Sequence, residues 1–541
     1  MGLEDSTAPY KRCIFDELDG AVFAAAGELT GRTVVDIMRR VEFTRMVSTG
    51  FVTSWSFNMF GWNSGRWVAV SATLVAISFG TTSLDAADWT RFRGPQGTGL
   101  ASTADKLPAE IGPEQNVIWK AALPPGHSSP VIVGNRIFVT AVRGDDKKTL
   151  LTMSLDRATG KVQWEAEAPY ETLEEIHQIG SYAQSSPCAD ADCVVSFFGS
   201  SGLYCYDHSG KLLWKKPMGP FNNNFGAGSS PLIVGDRVIL CQDHDLDSFL
   251  MAIDKTTGEV LWKTDRSEFP RNYCTPIIWD NEGHPQIVIA ATLRIVGYDL
   301  EQGKEAWTVR GISRAVSCSP TVGDDGNLYL AGWAAGGDEN ERIGVEPFAS
   351  VAQLRDTDQS GTLEEKELKE GPIYQRFSQV DRNKDGKVTQ AEYDYFRSLF
   401  DEGKNLVLSI KPGAKGEATD THVRWRHPRL VPFCASPLYV NGLLFTVKDG
   451  GVLQCLDAKT GKPTKQMRLE ASDSYYASPV SGDDKVYLAD EVGRVTVVSA
   501  VDKFEVLHTA DFKEDVYATP AIVDGRIYLR TAKGLYCFGL K

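Results

Sequence analysis

A small residue, then Ser or Thr, then Pro: this motif recurs eight times in the chain, and a fixed internal period constrains the fold more than any other sequence feature. The prolines are Pro130, Pro187, Pro231, Pro276, Pro320, Pro437, Pro479 and Pro520. They stand about 41 to 57 residues apart, except for a gap of 117 between Pro320 and Pro437. Each motif opens two short apolar runs around a Gly or Asp turn, as in "SSPLIVGDRVIL" and "ATPAIVDGRIYL", which is a hairpin pattern. Many units continue with a second strand pair, as in "FLMAIDKTTGEVLWKT", whose turn opens on Asp, holds a Gly and leads to Trp164, Trp214, Trp262 or Trp307. Four strands per period, repeated eight times, predict an all-β, eight-bladed propeller. The last unit, "GLYCFGLK", lacks a fourth strand, whereas "NVIWKAAL" (116–123) precedes the first hairpin with Trp119 in the expected place. Ring closure by this N-terminal strand is therefore expected, and it removes an open sheet edge.

The recurrent Asp–Gly–Trp turns resemble the tryptophan-motif repeats of PQQ-like (quinoprotein-type) propellers, which also occur in the propeller of the outer-membrane barrel assembly lipoprotein. The resemblance spans about residues 88–541 apart from one insertion, and it implies the fold far more strongly than a function. Two blades depart from it, with Lys465 and His508 where Trp is expected. By the same resemblance, a PQQ-dependent dehydrogenase is the rival reading. Such enzymes hold PQQ at the channel mouth against a disulfide between adjacent cysteines, with calcium in the channel and an aspartate base. This chain has no Cys-Cys dipeptide, so PQQ is not expected and no catalytic residue is assigned. No H-E-x-x-H, G-x-S-x-G or P-loop is present. "DHDLDS" (243–248) reads as a solvated acidic tip.

The gap of 117 residues holds a change of period. Val351, Leu354, Leu368, Phe377, Val380, Tyr393, Phe396, Leu399 and Phe400 fall at helical spacing before strand character resumes at "NLVLSIKPG". The expected insertion, 334–403, carries "DTDQSGTLEEKE" (356–367) and "DRNKDGKVTQAE" (381–392), two loops with EF-hand spacing. Calcium takes six to eight hard oxygen ligands, supplied from positions 1, 3, 5, 7 and 12 around a Gly at position 6. Asp356, Asp358, Ser360, the Thr362 carbonyl and Glu367 fill one set; Asp381, Asn383, Asp385, the Lys387 carbonyl and Glu392 fill the other. Two Ca2+ ions are thus expected, with Leu363 and Val388 at position 8 forming a short β-contact between the loops.

Ahead of the repeats, "RWVAVSATLVAISFG" (66–80) followed by "TTSLDAAD" has the anatomy of an export signal. The domain reading is a leader or over-extended start at 1–58, a signal peptide at 59–87, the first propeller part at 88–333, the EF-hand pair at 334–403 and the second propeller part at 404–541. The protein is then periplasmic or secreted, and an uncleaved signal segment would anchor it to a membrane. Ten cysteines in an exported chain invite disulfides, but the repeats place most of them in columns shared with Ser, Ala or Gly, as small core residues. Cys188 and Cys193 are the best candidate pair. A net charge of −14 without clustered Lys or Arg argues against nucleic acid.

Three residues before each proline stand His127, Gln184, Gly228, Tyr273, Ser317, Cys434, Tyr476 and Tyr517. This column should form a ring on the face that carries the insertion. It is either the mouth at which a protein or carbohydrate partner binds, with His127, Gln184, Tyr273, Tyr476 and Tyr517 as candidate contacts, or a plug of the channel. A monomer is expected.

Overall fold

The computed structural model describes residues 88–541, apart from 103, 224, 246, 369–372, 375–376, 471–472 and 541, together with strand segments at 44–45, 54–63 and 66–75. The chain divides into two units, 1–85 and 86–541. In the first, Ser54–Asn63 pairs antiparallel with Arg66–Val75, and Thr44–Arg45 adds a short third strand. The apolar stretch read as an export signal is thus extended over its first ten residues, and the remainder up to residue 87 lies outside the described residues. No helix of the described residues is long and apolar enough to cross a membrane.

Eight sheets, each with four antiparallel strands, make up the propeller of the second unit, one for each proline motif, and the fourth is extended by Gly416–Glu417 pairing parallel to its outer strand. Blades 1 to 4 are 131–167, 188–216, 232–265 and 277–310. Blades 5 to 7 are 321–427, 438–468 and 480–511. Blade 8 takes three strands from 521–539 and its outermost strand, Val117–Ala122, from the other end of the propeller, with Cys537 opposite Trp119. Closure through the N-terminal strand is as expected from the sequence.

The Ser or Thr of the motif explains its own recurrence. The residue before each proline donates its backbone N–H to the side-chain hydroxyl of the equivalent residue one blade on: Ser129 to Ser186, Ser186 to Ser230, Ser230 to Thr275, Thr275 to Ser319, Ser319 to Ser436, Ser436 to Ser478, Ser478 to Thr519, and Thr519 back to Ser129. All eight bonds are 2.9–3.0 Å long, so the ring closes without a gap. Each buried N–H at the centre, where no ladder partner is available, is satisfied by the neighbouring blade.

Tryptophans join the blades at the outside. Trp119, Trp164, Trp214 and Trp425 each donate Nε1–H to the carbonyl after the turn aspartate of the next blade, at 2.7–3.1 Å. Their rings lie on the turn glycine, so a Cβ on Gly160, Gly210, Gly258 or Gly461 would meet indole carbon at 2.5–2.8 Å. Trp307 faces blade 5, whose corresponding connection is instead a short strand, Gly416–Glu417, and the short helix Thr419–His422. With no glycine turn to cover, Trp307 folds back on Gln286 Oε1 of its own blade, at 2.7 Å. Lys465 keeps the corner that lacks Trp: its ammonium donates to the Phe504 carbonyl at 2.5 Å, and the Phe504 ring lies 5.0 Å below it where other turns carry glycine. His508 has no such substitute, and its Nε2 is buried without a hydrogen-bond partner.

The nine described cysteines, Cys188 and Cys193 among them, are free thiols, and eight are buried. Cys188, Cys193 and Cys205 share one apolar cluster in blade 2, so these thiols act as small core side chains.

Blade 5 runs straight through its insertion. Leu328–Gly332 pairs with Leu406–Ile410 as if the intervening residues were absent. The insert has its own core, in which Leu368, Phe377, Val380, Tyr393, Phe396, Leu399 and Phe400 fall as the helical spacing predicts, joined by Phe348, Leu363 and Val388, with Val351 partly buried against it. Leu354 is the exception: it is 75% exposed at the end of the helix Phe348–Arg355 rather than packed inside.

Candidate functional site

The inner strands begin on the face that carries the insert, and all eight positions of the pre-proline column line one cavity of about 680 Å3 there. This volume lies within the range of small-ligand sites. His127 and Tyr517 stack at 4.0 Å, and Tyr476 follows at 5.5 Å from Tyr517, so blades 7, 8 and 1 present a run of aromatic rings. Across the cavity Gln184 donates to the Phe225 carbonyl at 2.7 Å, and the Tyr273 hydroxyl donates to Asn223 Oδ1 at 2.9 Å. Residues of the hydroxyl ring, Ser129, Ser186, Ser230 and Thr275 among them, form the floor.

Burial, aided by the Arg530 and Lys147 charges, pushes the His127 imidazole down to about 3, so this ring is neutral at ordinary pH. Arg271 Nη2 and Asp245 Oδ2 pair at 2.6 Å within the wall. The stretch "DHDLDS" is therefore not a solvated tip: Asp243, His244 and Asp245 are 2%, 4% and 8% exposed. Asp243 and Asp245 each have an arginine, Arg266 bonding Asp243 through Nε and Nη2 at 2.8 and 2.7 Å, and of the three aspartates only Asp247 is exposed. The sequence signal lay in "RSEFPRN" (266–272), whose arginines fall one blade-corner later.

Two further contributions have no repeat signature. The segment Trp89–Leu100 crosses the far end of the inner strands, bonding Ile132 of blade 1 and Ser481 of blade 7, and Phe92 reaches the cavity from below. From above, the insert supplies Gln379, Asp381, Arg382, Tyr395, Phe396 and Leu399 to the wall. It is held there by Arg382 Nη2 on the Ser267 carbonyl at 2.5 Å and by the Tyr395 hydroxyl on the Glu268 carbonyl at 2.9 Å.

Both acidic loops of the insert are formed. Gly361 and Gly386 have φ of +78° and +80°, the conformation that favours glycine at the sharp turn. Leu363 pairs with Val388 and Glu364 with Lys387, the short β-contact expected between the loops. In the first loop Asp356 accepts from the N–H of Ser360 and Gly361 at 3.0 and 2.9 Å, Asp358 accepts from Ser360 at 3.1 Å, and the Ser360 hydroxyl reaches the Thr362 carbonyl at 3.2 Å. Asp356, Asp358 and Glu367 each bring a carboxylate oxygen within 4.8 Å of the others. Burial opposes charge on Glu367, yet the N–H groups of Glu364 and Thr357 hold its carboxyl below the usual range.

In the second loop, Asp381 Oδ2 accepts from Gly386 at 3.0 Å, Asn383 Oδ1 from Asp385 at 3.0 Å and Asp385 Oδ1 from Lys387 at 2.9 Å. Glu392 accepts from Thr389 and Arg382 and caps the helix Gln390–Glu402. Asp381 is 5% exposed, and its Oδ1 is buried without a hydrogen-bond partner. The carboxylates of this loop do not converge as closely as the trio of the first.

Residues 155–332, about a third of the chain, match the family described as outer membrane protein assembly factor BamB. That stretch is similar to PQQ-like propeller repeats. No curated protein matches the chain. Among solved structures, it is similar to BamB from Moraxella catarrhalis, with 13% identity over 78% of this chain and 98% of that one and a TM-score of 0.48. A quinohemoprotein alcohol dehydrogenase from Comamonas testosteroni shares 13% identity over 84% and 81% of the two chains, with a TM-score of 0.49. A computationally designed protein, Ika8, shares 11% identity over 79% and 100%, also with a TM-score of 0.49.

Proposed function

We propose that this chain is an exported, calcium-binding propeller that acts as a non-catalytic binding or scaffold protein, with Ca2+ held in two EF-hand loops and a protein or carbohydrate partner held at the mouth. The carrying observation is the pair of acidic loops. Three carboxylates of the first come within 4.8 Å, an arrangement whose mutual repulsion a divalent cation relieves. The second leaves Asp381 Oδ1, at the equivalent first position, buried and unpartnered. Hard oxygen donors without His or Cys suit calcium or magnesium rather than zinc or copper, and the twelve-residue spacing favours the larger ion. Export accords with the outer-membrane description of the matching family.

The PQQ-dehydrogenase reading fits the residues poorly. All nine described cysteines are free and no two are adjacent in the sequence. Of the two carboxylates in the mouth, Asp245 is paired with Arg271 and Asp381 is the first position of the second acidic loop. Isothermal titration with CaCl2 tests the proposal: wild type gives saturable heat, and the double variant Glu367→Gln/Glu392→Gln gives none. Unchanged heat in the double variant rejects the assigned ligands.

A further inference from the structure

The walls of the mouth specify the chemistry of its occupant, and this step rests on the mouth being a binding site. The rings of Tyr476, Tyr517 and His127 form one side, and Phe225 and Phe433 stand 42% and 37% exposed at the rim. Exposed aromatics around a concave polar floor are placed for stacking against a ligand. The floor is a ring of hydroxyls, each accepting one backbone N–H. A hydroxyl has one proton to donate besides its acceptor sites. The arginines of the mouth are engaged within its wall, Arg271 with Asp245, Arg314 with the Ala335 carbonyl and Arg382 with the Ser267 carbonyl, while Asp381 adds a carboxylate that repels anions. The net charge of −14 further disfavours anions. We infer that the mouth binds a neutral carbohydrate, a ring with one apolar face for Tyr517 and Tyr476 and hydroxyls for the floor.

The test uses the full chain, with calcium present, on an array of neutral and acidic oligosaccharides. Binding to neutral glycans is expected, about tenfold or more weaker in Tyr517→Ala and retained in Tyr517→Phe, which keeps the ring. Binding to no neutral glycan, a preference for acidic ones, or an unchanged Tyr517→Ala overturns it. Calcium titration of the same preparation separates the two proposals. Cation heat without glycan binding sinks the sugar inference alone.

A second inference rests on calcium binding in the second loop. Asp381 and Arg382, positions 1 and 2 of the second loop, are also wall residues of the cavity, and Arg382 stacks on Tyr395 at 4.2 Å while gripping the Ser267 carbonyl. We propose that a cation in the second loop fixes the insert over the mouth, so that calcium sets access to it. Cys434 lines the cavity and is the one described cysteine that is not buried. Calcium should slow its peptide-mapped labelling by N-ethylmaleimide about tenfold, and should slow amide exchange in 266–274. Glu392→Gln should abolish both effects, whereas Glu367→Gln should keep them. Calcium-independent labelling and exchange in a wild-type chain that binds calcium by calorimetry overturn the link and leave the binding sites standing.

Discussion

Blade 3 offers a controlled test of why the outer turns carry Trp and Gly together. Gly258 has φ +75°, and a Cβ there would lie 2.7 Å from Cδ2 and 2.9 Å from Cγ of Trp214. That indole is 8% exposed and bonded to the Lys255 carbonyl at 2.7 Å. Gly235, in the same blade, has φ +58° and nothing within 4 Å of its virtual Cβ. Gly235→Ala therefore carries the left-handed backbone penalty alone, about 1 kcal/mol. Gly258→Ala carries the same penalty plus displacement of a packed ring, about 1 to 3 kcal/mol, and a weakened indole hydrogen bond worth about 1 kcal/mol. The expected costs are about 1 and about 3 to 5 kcal/mol respectively. Guanidinium unfolding followed by tryptophan fluorescence and far-UV circular dichroism measures both, and because the glycines share a blade they report on the same unfolding unit. If the two variants agree within about 0.5 kcal/mol, the steric account of the motif is wrong.

The central ring and the buried histidine give two further expectations. Ser230→Ala leaves the Ser186 N–H without an acceptor and should cost about 1 to 3 kcal/mol in chemical denaturation, whereas Ser230→Thr, the residue already used at 275 and 519, should be nearly neutral. His244 is 4% exposed, and burial lowers its imidazole from 6.5 to about 4. The unfolded chain then binds a proton that the folded chain does not. Stability should be full above pH 6.5, fall by about 1.4 kcal/mol per unit on acidification toward pH 4, and stop falling from this source below it. His244→Phe, set between Phe221 and Phe249, should flatten that slope in urea midpoints taken near pH 7 and pH 5.

Repetition made most of the fold legible, because the packing between blades recurs around the ring with only a few corners changed. The Ser or Thr before each proline, the turn glycine and the corner tryptophan form columns in the sequence. Aligning the column three residues before the prolines likewise assembled the mouth from His127, Gln184, Tyr273, Tyr476 and Tyr517. What occurs once was hidden. Nothing in "WTRFRGP" announces that Phe92 lines the cavity, since the segment is positioned by contacts to blades 1 and 7. The acidity of "DHDLDS" suggested solvent, because the arginines that permit its burial belong to the next connection. Leu354 fell at helical spacing, yet the helix Phe348–Arg355 ends one residue later and leaves it exposed.

Native mass spectrometry of the full chain in calcium should show two Ca2+ per wild-type molecule, one in Glu367→Gln, one in Glu392→Gln and none in the double variant. Two ions retained in the double variant would place calcium elsewhere and contradict the account.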